Sequence, residues 1–180
     1  GESRMEEMRA LLDRISDSGL EVPQPVREAM CGLHLDQFTT YDFDGFFHDR
    51  PVVFMETENG GVKTISAPHM IVTLLHHLEL KEGHEVLVVG SKGGYIAALI
   101  ATIVGEQGRV IIIDPSEEII RHTANALNGW PTIDLRHVES IDVAPIELPG
   151  DLSRILITGS VLSVPTWMDC LLYTSPSPRD

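Results

Sequence analysis

The feature that most restricts the fold is an apolar run that stops on glycines: Val86-Leu87-Val88-Val89, then Gly90-Ser91-Lys92-Gly93-Gly94-Tyr95. Four successive apolar residues with no polar alternation predict a strand covered on both faces, the environment of a parallel sheet. Beyond the turn the pattern alternates. A helix is predicted over Tyr95–Ile103, a strand over Val110–Ile113, a helix over Glu117–Leu127, and strands over Ile133–His137 and Ile155–Thr158. Ser116 is the expected N-cap of the second helix, and Gly105 and Asn128-Gly129 are the expected helix stops. Strands joined in order through helices predict an open α/β sheet of the βαβ kind.

A glycine turn between a buried strand and a helix is where backbone can approach a ligand and point N–H groups at it. Asp114 closes the second strand, near the spacing at which an acid accepts hydrogen bonds from a ribose diol. Together they point to an adenosine-containing ligand. The spacing is not G-x-G-x-x-G, so a nicotinamide dinucleotide and a purely structural tight turn both stay open on these residues alone.

Upstream, Met5, Met8, Leu11, Leu12 and Ile15 recur at helical spacing, and Ser18-Gly19 ends that helix. Pro23 and Pro25 introduce a short helix through Val26, Ala29 and Met30. From Leu33 to Gly61 the chain is irregular and too long for a plain connection, which predicts a functional loop or a small strand pair. Ser66-Ala67-Pro68 opens the next helix, with Ser66 as its N-cap and Met70, Ile71, Leu74, Leu75 and Leu78 as its apolar face. Phe43, Phe46, Phe47 and Phe54 read as a satellite core rather than a binding platform, and Asp42 and Asp44 as a solvated loop. His76-His77 lack the i, i+4 pairing of a metal site, so no metal is expected.

The formal net charge is −14, from 27 acidic and 13 basic residues, and the basic ones are scattered. That balance repels a nucleic-acid backbone, so DNA and RNA are not expected partners. The same acidity also fits a salty habitat or plain solubility. No apolar stretch reaches membrane-spanning length, and Gly1 to Met8 lacks the order of a secretory signal, so no membrane is expected. Cys31 and Cys170 form no metal or redox spacing, which fits a reduced compartment; the cytoplasm is the expectation. The oligomeric state is not legible. Residues 170–180 have neither helical nor strand period and resemble translated read-through of a sequencing adapter, which would end the natural sequence near Asp169.

Thr64-Ile65-Ser66-Ala67-Pro68-His69-Met70, followed by a helix and then Val86 to Gly90, resembles the hallmark segment of the protein-L-isoaspartate (D-aspartate) O-methyltransferase family. The flanks agree: Val26 to Phe38, Phe47 to Pro51 and Arg154 to Pro165 are similar to the family's neighbouring segments. The resemblance implies a doubly wound, Rossmann-like class I S-adenosylmethionine-dependent methyltransferase core, here divergent and with an incomplete sheet because the chain is cut short at its C-terminus. It implies S-adenosylmethionine as cofactor and methyl transfer to the carboxylate of L-isoaspartyl or D-aspartyl residues in damaged proteins or peptides, a protein-repair reaction. Ser66 would be the catalytic residue, orienting that carboxylate. Thr64, Ile65, Gly90, Ser91, Lys92, Gly93, Gly94, Asp114, Pro115, Glu139 and Ser140 would hold the cofactor. His69 and Thr158 would touch substrate, with Ser160 bordering the same channel.

Two residues depart from the family's acid-x-Gly-x-Gly-x-Gly ending of the first core strand: Val88 stands for the acid and Lys92 for the middle glycine. Losing the acid removes a partner for the donor's ammonium, and Lys92 adds bulk and positive charge beside a cationic ligand. The adenine-side segment is His137-Val138-Glu139-Ser140 where the family has Gly-Asp-Gly. The rival expectation is therefore a non-catalytic descendant that binds a nucleotide-like ligand or a protein partner. An RNA methyltransferase and a nicotinamide enzyme stand behind it. The expected division is residues 1–62 as N-terminal helices and a substrate-side loop, 63–169 as the truncated methyltransferase core, and 170–180 as a non-native tail.

Overall fold

The computed structural model describes residues 2–142, 148–149 and 152–158. Two compact units follow one another along the chain, Gly1–Glu79 and Leu80–Asp180. Ser160, the stretch after Thr158 and the 170–180 tail lie outside the described residues.

In the first unit, helix α1 (Glu2–Asp17) buries Met8, Leu11, Leu12 and Ile15 of the stripe expected from the spacing and leaves Met5 half-buried, and α2 (Gln24–Gly32) starts with Pro25 in its first turn. Two 3-10 turns, Leu35–Gln37 and Asp44–His48, carry the chain to an antiparallel hairpin of β1 (Val52–Glu56) and β2 (Val62–Ile65). The small strand pair is thus present, and Asn59-Gly60-Gly61 makes its turn, with Gly60 at φ 85°. Of the expected satellite core, Phe46, Phe47 and Phe54 are buried and Phe43 is half-buried, and the Phe46 and Phe47 rings meet edge to face at 6.2 Å.

Helix α3 (Pro68–Leu78) corrects two expectations. Its N-cap is Ala67, which makes no side-chain cap, and not Ser66; the N–H of His69 is instead taken by Asp49, 20 residues earlier. A distant carboxylate has replaced the local hydroxyl. Met70 is 46% exposed and off the apolar face, whereas Val72, buried with Ile71, Leu75 and Leu78, is on it.

In the second unit, β3 (Glu85–Val89), α4 (Tyr95–Val104), β4 (Arg109–Asp114), α5 (Glu117–Ala126), β5 (Ile133–His137) and β6 (Arg154–Ile157) follow the predicted alternation. The last strand starts one residue earlier than its apolar pattern suggested, at Arg154. All pairings are parallel, and the strand order is β5-β4-β3-β6. Val86 to Val89 and Val110 to Ile113 are all within 3% of full burial, which is why these strands carry no polar alternation. Each such side chain contributes about 1.5–3 kcal/mol on burial. Leu87, Val89, Ile111 and Ile113 share one sheet face with Leu152, and Val138, Ile141 and Leu148 pack on that cluster. Gly108, at the turn into β4, leaves no room for a side chain: a Cβ there would lie 2.5 Å from Val104 and 2.8 Å from the His84 carbonyl.

Candidate functional site

The strand order places a topological switch point between β3 and β6: successive strands after β3 extend the sheet to one side, and β6 returns to the other. In open α/β sheets the crevice outside the carboxyl ends at such a point receives the ligand. The carboxyl edge here carries Glu139 and Ser140 after β5, Asp114 and Pro115 at β4, Gly90 to Gly94 after β3, and Thr158 after β6. Among the described residues, the second unit therefore gathers its expected site residues along one edge.

The turn itself is unusual. Gly90, Gly93 and Gly94 have φ of 92°, 77° and 95°, and Lys92 joins them at 44°. Left-handed backbone suits glycine and costs a residue with a Cβ about 1–2 kcal/mol, so Lys92 occupies a conformation shaped for the glycine it replaces. Gly94 is needed for a second reason: a Cβ would sit 3.1–3.3 Å from the Leu127 side chain, where the turn packs on the end of α5. The Thr158 hydroxyl donates to the Gly90 carbonyl at 2.7 Å and the Val89 carbonyl at 3.1 Å, tying β6 to the start of the turn.

Asp114 is 5% exposed and supports the turn from within. Its Oδ2 accepts the Ser91 N–H at 2.8 Å and the Ser91 hydroxyl at 3.0 Å, and its Oδ1 accepts the Ser116 N–H at 2.9 Å. Thr123, fully buried on α5, donates to the Ser91 hydroxyl at 3.1 Å. A carboxylate offers about four lone-pair positions, and these bonds leave one on Oδ1 for a ligand hydroxyl. Thr123 carried no signal in the sequence, being one polar residue on an amphipathic helix. The Ser116 cap was legible, and its side chain accepts the Ile119 N–H. Glu139 is exposed, and Ser140 accepts the Asp142 N–H at 3.1 Å. The His137 ring lies 3.1 Å from the Pro115 carbonyl, and the Val138 N–H reaches the Asp114 carbonyl, so the ends of β4 and β5 stay joined. Val88, where the family pattern has an acid, is 1% exposed.

In the first unit, Thr64 and Ile65 close β2, opposite Val53 and Val52. Ile65 is 1% exposed and belongs to that unit's core, whereas Thr64 and Ser66 are half-buried. His69 is exposed in the first turn of α3, with Nδ1 at 3.0 and 3.1 Å from the two Asp49 oxygens. An ionised carboxylate only accepts, so Nδ1 is the donor of this contact. Asp49 itself sits at φ 61°, held there by closing the 3-10 turn with its N–H on Phe46. The Phe47 to Pro51 segment quoted for the resemblance contains Asp49, but only the fold reveals its bond to His69. His76 and His77 stack edge to face at 5.5 Å, and no group of three potential metal ligands occurs among the described residues.

The family model of protein-L-isoaspartate(D-aspartate) O-methyltransferase matches residues 6–166. The protein-L-isoaspartate O-methyltransferase of Methanopyrus kandleri is 32% identical over 158 residues, covering 86% of this chain and 67% of the relative. That of Methanosarcina mazei is 33% identical over 167 residues, 91% of this chain and 65% of the relative. A solved protein-L-isoaspartate O-methyltransferase superposes with a TM-score of 0.77 at 22% identity, over 91% of this chain but only 51% of its own length. A Plasmodium falciparum structure assigned to the same enzyme class, in complex with S-adenosyl-L-homocysteine, gives 0.69 at 19% identity, over 91% and 78%. At these identities the structural likenesses establish the fold: a Rossmann-like methyltransferase core.

Proposed function

The chain belongs to the protein-L-isoaspartate(D-aspartate) O-methyltransferase family, and from that premise we propose that it transfers a methyl group from S-adenosylmethionine to the carboxylate of L-isoaspartyl or D-aspartyl residues in damaged proteins. The observation that carries this reading is the glycine turn at the switch point, backed by a buried acid that keeps one lone pair for a ribose hydroxyl. When bound, S-adenosylmethionine supplies a methyl carbon made electrophilic by its sulfonium. The turn Gly90 to Gly94 would hold its methionine end, Asp114 and Pro115 the ribose, and Glu139 and Ser140 the adenine side.

The acceptor is a carboxylate, already nucleophilic at neutral pH, so the reaction needs placement and exclusion of water more than a strong base. Ser66 would orient the carboxylate through its hydroxyl, with Thr64 beside it and His69 on the substrate side. Val88 offers no carboxylate to an ammonium group, which leaves that group to backbone carbonyl acceptors and weakens affinity relative to relatives with the acid. Nucleic acid and membrane are not part of this reading. Among the described residues no helix is long and apolar enough to cross a membrane. The reading assigns the enzyme to the cytoplasm, in keeping with cysteines that form no disulfide spacing.

The test is methyl transfer from radiolabelled S-adenosylmethionine to an isoaspartyl peptide beside its normal aspartyl isomer. A base-labile methyl ester on the isoaspartyl peptide alone is expected. Cofactor binding with no transfer to either peptide would reject the reading in favour of the non-catalytic alternative that Val88 and Lys92 suggest.

A further inference from the structure

We propose that a cationic cleft within the first unit binds acidic peptide segments that flank the methyl-accepting residue, with Arg14 and Arg50 as its carboxylate ligands. The proposal rests on the reading that the acceptor is a peptide. The cleft measures about 540 Å³; Arg14, His48, Arg50 and His69 line it, and Leu11 and Ile15 belong to its floor. In a chain with twice as many acidic as basic residues, a wall of two arginines and two histidines runs against composition.

Among the described residues that line the cleft, Asp49 alone carries a carboxylate, and both its oxygens face His69. Elsewhere in the unit Arg4 pairs with Glu7 and Asp44, and Arg27 with Asp13. Arg14 instead donates to the neutral Phe47 carbonyl at 2.8 Å, and the Arg50 side chain has no ion pair among the described residues. Two guanidinium groups without carboxylate partners thus open on one cleft. Their planar donor forks match carboxylates in a way a single ammonium does not. The apolar floor suits the methylenes of a glutamate, and a cleft this size admits a short peptide segment. His69 lies three residues after Ser66, so the cleft adjoins the segment expected to orient the methyl acceptor.

The experiment compares isoaspartyl peptides of one core sequence with two flanking Glu or two flanking Gln, using the full chain and the double variant Arg14→Gln/Arg50→Gln. Two exposed ion pairs together amount to about tenfold. The Glu-flanked peptide should show a KM about tenfold lower than the Gln-flanked one at low salt, with similar kcat, and the preference should shrink as salt rises. In the double variant the two KM values should converge. Arg50→Gln alone, which removes a side chain with no internal ion pair, should abolish about half of the preference on a logarithmic scale. Equal KM values in the parent, or a preference that survives the double variant, would overturn the proposal. If neither peptide is methylated, the proposed activity fails on its own. Fluorescence anisotropy with the labelled, unisomerised Glu-flanked and Gln-flanked peptides then decides the cleft: tighter binding of the Glu peptide by the parent and not by the double variant supports it, and equal binding overturns it.

Discussion

Asp114 and Asp49 perform the same elementary task in different surroundings. Each accepts a backbone N–H in a segment that the family resemblance assigns to the active site, at 2.8 Å from Ser91 and 2.9 Å from His69 respectively. Asp114 is 5% exposed, among β-sheet and helix, and satisfies three donors; the Asp49 side chain is 33% exposed and serves one residue. Solvent can replace the acceptor at Asp49 and cannot at Asp114. The glycine turn of the second unit is therefore built as part of a core, whereas the start of α3 in the first unit is tied down at the surface.

The sharpest way to break this contrast is Asp114→Ala, which strands the buried Ser91 N–H and hydroxyl. A loss of about 3 kcal/mol in chemical denaturation is expected; a loss under 1 kcal/mol would mean that water reaches the site. Next come two glycines of similar φ. Gly94→Ala meets Leu127 as well as left-handed strain, whereas Gly60→Ala at the β1–β2 turn meets nothing within 4 Å. The first should cost about 2 kcal/mol or more and the second about 1 kcal/mol, read from the same denaturation curves. Asp49→Ala should cost only about 1 kcal/mol, the ordinary value of a lost helix cap, while raising the KM of the peptide substrate more than it lowers stability.

The smallest expected effect is a pH dependence in the second unit. His84 Nδ1 accepts the Lys81 N–H at 3.1 Å, and burial, aided by Arg154 and Lys81, holds its pKa below the ordinary histidine value. A depressed folded pKa means that the neutral form is the stabilising one. Its contribution is complete above about pH 6.5 and declines as pH falls through the lower folded value. Thermal midpoints measured from pH 7 downward should fall in the parent and fall less in His84→Gln.

The same contrast explains what the sequence disclosed. The β3–α4–β4–α5–β5 alternation was legible because β3 and β4 are apolar on both faces and each helix has local stops, and the Ser116 cap because its partner Ile119 lies three residues on. The cap of α3 was misread at Ser66 because the true acceptor, Asp49, is distant in the chain. Thr123 behind Ser91, and the convergence of Arg14, His48 and Arg50 on one cleft, are tertiary facts with no periodic trace. Met70 was counted as core because hydropathy does not report which side of a helix a residue faces until the face is fixed by its neighbours.

Calorimetric titration of S-adenosylmethionine into the chain, beside Lys92→Gly, tests the central claim most directly: that a glycine turn backed by Asp114 keeps a cofactor site despite Val88 and Lys92. Saturable binding of one equivalent by the parent, tightened in Lys92→Gly where left-handed strain and a like charge are both removed, is the predicted result. Binding by Lys92→Gly alone, or by neither protein, would contradict it.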